Sequence, residues 1–230
     1  MVQLSHLSER RTSVDDIFDY LHDEILSLRL RPGDKISEAE IASRFGVSRQ
    51  PVRDAFSRLA NLDLLLIRPQ RATEVRRFSS REIEKSRFIR AAVEKEVLRR
   101  AAQHCEAVGA AQLDAALASQ EKAIRDSDVE GFGALDYEFH KTLCAIGRAD
   151  FAFDVIMSEK SKVDRLCTLG LSKEDRMPHL VADHRGIAEA VKNHDAEKAV
   201  EIGVLHLSRL DDTIARISAT NANYFEPEET

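Results

Sequence analysis

The stretch from Ser37 to Asn61 constrains this chain more than any other. Ser37-Glu38-Ala39-Glu40 is a capping box, in which a hydroxyl and a carboxylate three residues on satisfy the N–H groups orphaned at a helix start. The short helix it begins runs through Phe45 and breaks at Gly46, a residue type that tolerates the positive φ of a tight turn. Ser48 then caps a second helix reaching about Asn61. Val52, Ala55, Phe56 and Leu59 supply its buried side, and Arg49, Gln50, Arg53 and Ser57 form a polar stripe on another face. Helix, glycine turn and helix, with polar side chains opening the second, is the arrangement that puts a recognition helix in a DNA major groove.

The flanks complete a winged helix-turn-helix domain over residues 1–77. Val14, Ile17, Leu21, Ile25 and Leu28 recur at helical spacing and stop at Arg31-Pro32-Gly33, a helix terminator. After the second helix, Leu64 to Ile67, a turn at Pro69-Gln70-Arg71-Ala72, and Thr73 to Arg76 predict a small two-stranded β wing.

Charge is distributed to match. The whole chain carries 34 Lys and Arg against 40 Asp and Glu, a net charge of −6. From Ile41 to Arg77, however, eight arginines face only Asp54, Asp63 and Glu74, while the remainder from residue 78 is acidic. A compact basic patch joined to an acidic body suits a nucleic-acid reader with a separate second function, although a solvated charge run has the same composition. With 43% hydrophobic and 32% charged residues the chain is no disordered polymer. No apolar run approaches a membrane span, and Met1 to Arg11 lacks a signal peptide's apolar stretch, so a cytoplasmic protein with no membrane partner is expected. Cys105, Cys144 and Cys167 form neither a CxxC pair nor an even framework, as reduced thiols would.

The segment "KISEAEIASRFGVSRQPVRDAFSRLANLDLL", followed by "RPQRATEV", resembles the DNA-binding domain of the GntR family of bacterial transcription regulators. The resemblance implies a recognition helix whose Arg49 and Arg53 reach guanine edges and phosphates, with Ser48, Gln50 and the wing's Arg71 beside them; Arg44 and Arg58 are phosphate contacts or plain surface charges. Bidentate Arg–guanine pairing, worth ~1–3 kcal/mol of discrimination, fits those roles. Two positions depart from the family pattern. Ala72 stands where the wing usually has glycine, and Ala39 where some members have a DNA-contacting arginine.

From residue 78 to 220 the chain reads as an all-α antiparallel bundle, giving a mainly α fold overall. Ser79-Ser80-Arg81-Glu82 caps a helix through about His104, and five more patterns cover about 110–126, 130–146, 151–166, 178–192 and 195–219. Residues 221–230 form an acidic, turn-like tail with no assigned role. Asp136 and His140, four apart, share one helix face. His184 and His206 lie on the last two helices at similar distances from the Asn193-His194-Asp195 turn, so antiparallel packing can bring them level. Three imidazoles and a carboxylate suit Zn²⁺, Ni²⁺ or Mn²⁺. By spacing alone, separate core or surface histidines fit as well.

"LDYEFHKTL" and "DHRGIAEAVKNHDAEKAVEIGVLHL" are similar to the FCD effector domain of the FadR-like subfamily. That likeness implies a divalent metal ligated by Asp136, His140, His184 and His206, and leaves His6, His22, His104, His179 and His194 outside the pattern. It also implies a small carboxylate effector beside the ion. Arg90, in "RFIRAAVEKEV", stands where an arginine often meets the ligand, though an intrahelical pair with Glu94 is equally open. Arg165 and Arg148, the latter replacing an asparagine common in relatives, are further effector-binding candidates.

The function expected is therefore a ligand-responsive repressor or activator, binding a pseudo-palindromic double-stranded DNA operator as a homodimer. Two other classes share some features. One is a regulator answering to the metal without an organic ligand. The other is a metal-dependent hydrolase fused to a DNA-binding domain, against which stands the lack of a general base beyond the nearby Glu138.

Overall fold

The computed structural model describes residues 12–167 and 173–227, the side chains of Cys167 and of residues 173–175 excepted; Met1–Arg11 and His6 within it lie outside the described residues. The chain divides into two compact units. The first runs to Phe78 and regains the chain from Asn223; the second is Ser79–Ala222.

In the first unit, α1 (Ser13–Leu26), α2 (Glu38–Phe45) and α3 (Arg49–Asn61) enclose a core built from Ile17, Leu21, Ile25, Val52, Ala55, Phe56 and Leu59, all essentially inaccessible. Burial of this helix-spaced set explains why the N-terminal half of the periodicity folds as read. Thr12 and Asp15 form a full capping box on α1. Ser37 caps α2 by accepting from the Glu40 N–H, and Gly46 closes it at φ 64°, as its lack of a Cβ permits. Ser48 occupies the cap position of α3 in extended backbone, but its hydroxyl makes no capping hydrogen bond.

The sheet has three strands where two were expected. β1 (Lys35–Ile36) precedes α2, β2 (Leu65–Leu66) and β3 (Thr73–Val75) form the wing, and the order is β1-β3-β2, all antiparallel. Two residues are too few for alternation to be visible, so β1 is recognisable only through its pairing of Lys35 with Glu74 and Ile36 with Thr73. The tail also has a place. Phe78 donates to the Tyr224 carbonyl at 2.8 Å, accepts from the Glu226 N–H at 2.8 Å, and its ring lies 5.6 Å from that of Phe225.

The second unit is helical: α4 (Ser80–His104), α5 (Ala107–Arg125), α6 (Val129–Ile146), α7 (Phe151–Cys167), α8 (Lys173–Lys192), α9 (Ala196–Ser208) and α10 (Asp211–Thr220). α4 packs on α7 and α9, and α5 on α6 and α8, around Leu98, Ala101, Leu113, Phe139, Leu143, Ile156, Ile187 and Val191. α5 starts three residues earlier than read off the sequence, and two boundaries differ more. α8 starts five residues before Pro178 and runs through it; the ladder bond lost at the proline is offset by burial of Met177 and Val181 on one face. The last pattern splits at Arg209–Leu210, where the Arg209 guanidinium turns onto Asp183 with hydrogen bonds of 2.5 and 2.8 Å. Asp211 and Asp212 then suit the positive N-terminus of a new helix. Close approach matters at Gly203, where a Cβ would come within 2.3 Å of Leu98 Cδ1; α9 thus lies hard against α4 one turn before His206. Among the described residues no helix is long and apolar enough to cross a membrane.

Candidate metal centre and nucleic-acid interface

Three of the histidines singled out by spacing meet inside the second unit. His140 on α6, His184 on α8 and His206 on α9 are buried, with ring centroids 4.8 to 5.7 Å apart. One nitrogen from each lies within 4.8 Å of the other two. Phe139 stacks on His184 at 4.2 Å and keeps that side of the cluster apolar.

The orientation of the rings follows from partners that the sequence patterns do not reveal. His140 Nδ1 faces Glu94 Oε2 at 3.1 Å, His184 Nδ1 faces Gln120 Oε1 at 2.9 Å, and His206 Nδ1 faces Asp183 Oδ2 at 3.5 Å. The contacts of His140 and His184 are within hydrogen-bond reach, whereas His206 Nδ1 is buried without a hydrogen-bond partner. Gln120 Nε2 donates to the Leu135 carbonyl at 3.1 Å, which fixes its amide oxygen toward His184 and makes Nδ1 the protonated nitrogen there. His140 and His184 are left with buried Nε2 atoms that have no hydrogen-bond partner. An orphaned buried acceptor is costly unless something occupies its lone pair, and ring N–H groups held by carboxylate or amide are the usual support of a metal-ligating histidine. The donor set therefore fits a divalent metal.

Electrostatics agree with this geometry. Burial, reinforced by His206, pushes the His184 imidazole well below its ordinary value, so it is neutral and able to donate a lone pair. Burial opposes ionisation of Asp136, yet Lys160 and the surrounding histidines hold its carboxyl well below the usual range. Glu94 is likewise kept ionised against burial by Arg90 and His140. Asp136 stands beside the cluster with Oδ1 3.5 Å from His184 Nε2, while its Oδ2 meets Lys160 Nζ at 3.1 Å.

A cavity of about 340 Å³ opens against His206 and Asp136, a volume at the small-molecule end of ligand sites. Arg90, Lys160, Arg176, His179 and Arg209 line it, with Asp164, Asp212 and the apolar Leu180, Leu207 and Leu210. Arg90 pairs with Glu94 at 2.9 Å and also lines the cavity, so the ion pair does not withdraw it from the wall. Arg165 is buried on α7 but is not part of the wall. Arg148 is 70% exposed in a left-handed turn after α6, facing Glu106 at 3.8 Å, because the turn that ends the helix carries it outward. His179, read as outside the pattern, belongs to the wall. Glu138 is exposed, pairs with Lys141 and does not line this cavity.

In the first unit, Ser48, Arg49, Gln50 and Arg53 are exposed on the start of α3. Gln50 Nε2 donates to Asp54 Oδ1 at 2.9 Å, and Arg53 Nε meets Glu38 Oε2 at 3.0 Å. Arg44 lies over the Tyr20 ring at 4.3 Å, and Arg58 over Phe18 while donating to Asp15 at 2.8 Å. Arg71 is exposed at the tip of the wing, next to Gln70 at φ 59°.

Comparison with known proteins accounts for both units. Residues 13–75 match the model of the bacterial regulatory proteins, gntR family, and residues 87–209 that of the FCD domain. The HTH-type transcriptional repressor RspR of Escherichia coli is 33% identical over 92% of this chain and 93% of its own. An HTH-type transcriptional regulator in an unstable DNA locus of Streptomyces ambofaciens is 32% identical over 94% and 90%. In fold, the chain is similar to E. coli McbR/YncC, with a TM-score of 0.64 at 17% identity over 90% of this chain and 99% of that one. With a helix-turn-helix unit and a helical unit each matched, and relatives aligned along nearly their whole length that are transcription regulators, the chain belongs to the gntR family of bacterial transcription regulators and carries an FCD domain.

Proposed function

We propose that this regulator binds a pseudo-palindromic operator as a homodimer and that a small organic acid, bound beside a divalent metal in the FCD domain, controls the affinity. The observation that carries it is the convergence of His140, His184 and His206, with the Nδ1 atoms of His140 and His184 held by Glu94 and Gln120, beside a cation-lined cavity. His140, His184, His206 and Asp136 would hold Zn²⁺, Ni²⁺ or Mn²⁺, and the ion would supply a Lewis-acidic anchor for a carboxylate oxygen. Arg90 adds a planar fork that pairs with carboxylates. Two-fold protein symmetry suits two-fold DNA, with Arg49, Gln50 and Arg53 at base edges and Ser48, Arg44 and Arg71 at the backbone.

An effector that favours a state mismatched to the half-site spacing need contribute a coupling of only ~1–3 kcal/mol to release DNA. That the relative RspR is a transcriptional repressor favours repression as the sign of control, and binding to DNA favours a cytoplasmic location.

A thermal-shift screen of small carboxylates on the metal-loaded protein, followed by gel shift of an operator fragment with each hit, tests the proposal. A hit that stabilises the protein and weakens the shift supports it. DNA affinity that follows metal concentration alone, with no carboxylate effect, favours a metal sensor instead. Operator binding undiminished in Arg49→Ala and Arg53→Ala proteins overturns the DNA-reading assignment.

A further inference from the structure

Lys160 enters the histidine site from the cavity wall without belonging to any ligand motif. Its Nζ lies 3.1 Å from Asp136 Oδ2 and 2.5 Å from Asp164 Oδ2, and sits 4.2 Å over the Tyr137 ring. Tyr137 Oη donates to the same Asp164 oxygen at 2.8 Å, so the ammonium is held from α6 and α7 together. The two oxygens of Asp136 are thereby divided: Oδ1 faces His184 Nε2, and Oδ2 is committed to Lys160. Glu94 and Asp183, the other buried carboxylates nearby, are turned to the Nδ1 atoms of the rings and to Arg90 and Arg209. Asp136 thus meets the buried Nε2 of His184 with one oxygen, and half of its capacity is spent on an ammonium.

We infer that Lys160 keeps the metal site short of negative charge, so that an ion held by the histidines is completed by an oxyanion from the cavity rather than by the protein. The inference rests on the metal-and-acid reading of this site. Two effects act in one direction. The ammonium repels a divalent cation on the far side of Asp136, and it places a positive charge in the wall of the cavity that it lines, where an entering anion is attracted. A carboxylate oxygen entering there meets both the ion and Lys160. The same side chain therefore weakens the metal taken alone and strengthens the organic ligand.

Opposite signs make the test. In the full chain loaded with Co²⁺ and probed with glycolate, Lys160→Met is expected to bind Co²⁺ several-fold more tightly and glycolate about tenfold or more weakly, the scale of effect typical of groups behind metal ligands. Lys160→Arg keeps the parent pattern. Asp164→Asn, a change at a partly exposed residue, removes the charge that competes with Asp136 for Lys160 while keeping an acceptor; it should weaken Co²⁺ and preserve or tighten glycolate, and it serves if Lys160→Met does not fold. A support role alone would weaken both ligands in Lys160→Met, and that result overturns the inference, as do constants unchanged within about twofold. A parent whose cobalt absorption bands ignore glycolate overturns it too, since the coordination sphere would not be seeking an anion. If the parent takes up no Co²⁺ at all, the metal reading falls and this inference with it; parent uptake without opposite shifts removes this inference alone.

Discussion

Gln120 holds His184 in one tautomer. Its amide nitrogen donates to the Leu135 carbonyl, its amide oxygen takes the Nδ1 proton at 2.9 Å, and the Nε2 lone pair of a fully buried, neutral ring is thereby aimed into the histidine cluster. Gln120 lies sixty-four residues from His184 in sequence and is itself completely buried. The arrangement places a positioning residue on α5, a helix that contributes no ligand of its own.

Replacing Gln120 by Ala should therefore lower metal affinity by roughly 10- to 100-fold while leaving all four candidate ligands in place. Competition with a chromophoric chelator measures this directly. An unchanged affinity would mean that His184 does not depend on its outer partner.

On the DNA side, Glu38 and Arg53 make a second pair with a measurable consequence, their side chains meeting at 3.0 Å across α2 and α3. Arg53→Ala should cost ~1–3 kcal/mol of operator affinity and relax discrimination at one base position. Glu38→Gln removes a negative charge near the phosphates and releases the guanidinium, so binding to random DNA should rise while the preference for the operator falls. Fluorescence anisotropy on both DNAs at two salt concentrations separates the two effects.

Arg90 and Arg148 were candidates for the same role, and the structure separates them. Arg90→Lys keeps a cation opposite Glu94 but loses the fork at the cavity wall, and should reduce carboxylate-induced stabilisation in a thermal-shift assay. Arg148→Ala, at an exposed turn, should leave that stabilisation unchanged. Equal losses in both variants would place Arg148 in the ligand's path.

Cys144 is buried within the helical core, and burial pushes its thiol up to about 12. The unfolded chain ionises this group from about pH 8.5 upward and the native protein does not. Native Cys144 should thus resist iodoacetamide at pH 8 and react promptly in denaturant, and its contribution to stability should fall as pH rises above about 9. Mass-mapped alkylation of native and unfolded protein checks the first point.

Phe56 anchors the core of the first unit with 1% of its surface exposed. Phe56→Ala should destabilise that unit by about 3–5 kcal/mol. Chemical denaturation followed by operator binding would show DNA affinity lost at lower denaturant concentration than in the parent.

Much of this protein was legible before folding. The periodicity of Ile17, Leu21 and Ile25, and of Val52, Phe56 and Leu59, marked helices because helix-spaced apolar residues must be buried on one side. The four-residue spacing of Asp136 and His140, and the near-equal distances of His184 and His206 from their turn, are local consequences of helix geometry and allowed the rings to meet, but separate histidines fitted the same spacing, and only the packing of α6, α8 and α9 brought the three together. Strand β1 and the break before α10 were not legible, because a two-residue strand exists only through its partner and Arg209 turns away only because Asp183 is there. The same holds for Glu94, Gln120, Asp183 and Lys160. They lie on four different helices, and no spacing along a chain specifies which polar side chain will face a given nitrogen. That choice belongs to the packing of α4, α5, α7 and α8 around the histidines, where each buried donor and acceptor must find a partner or remain for a ligand.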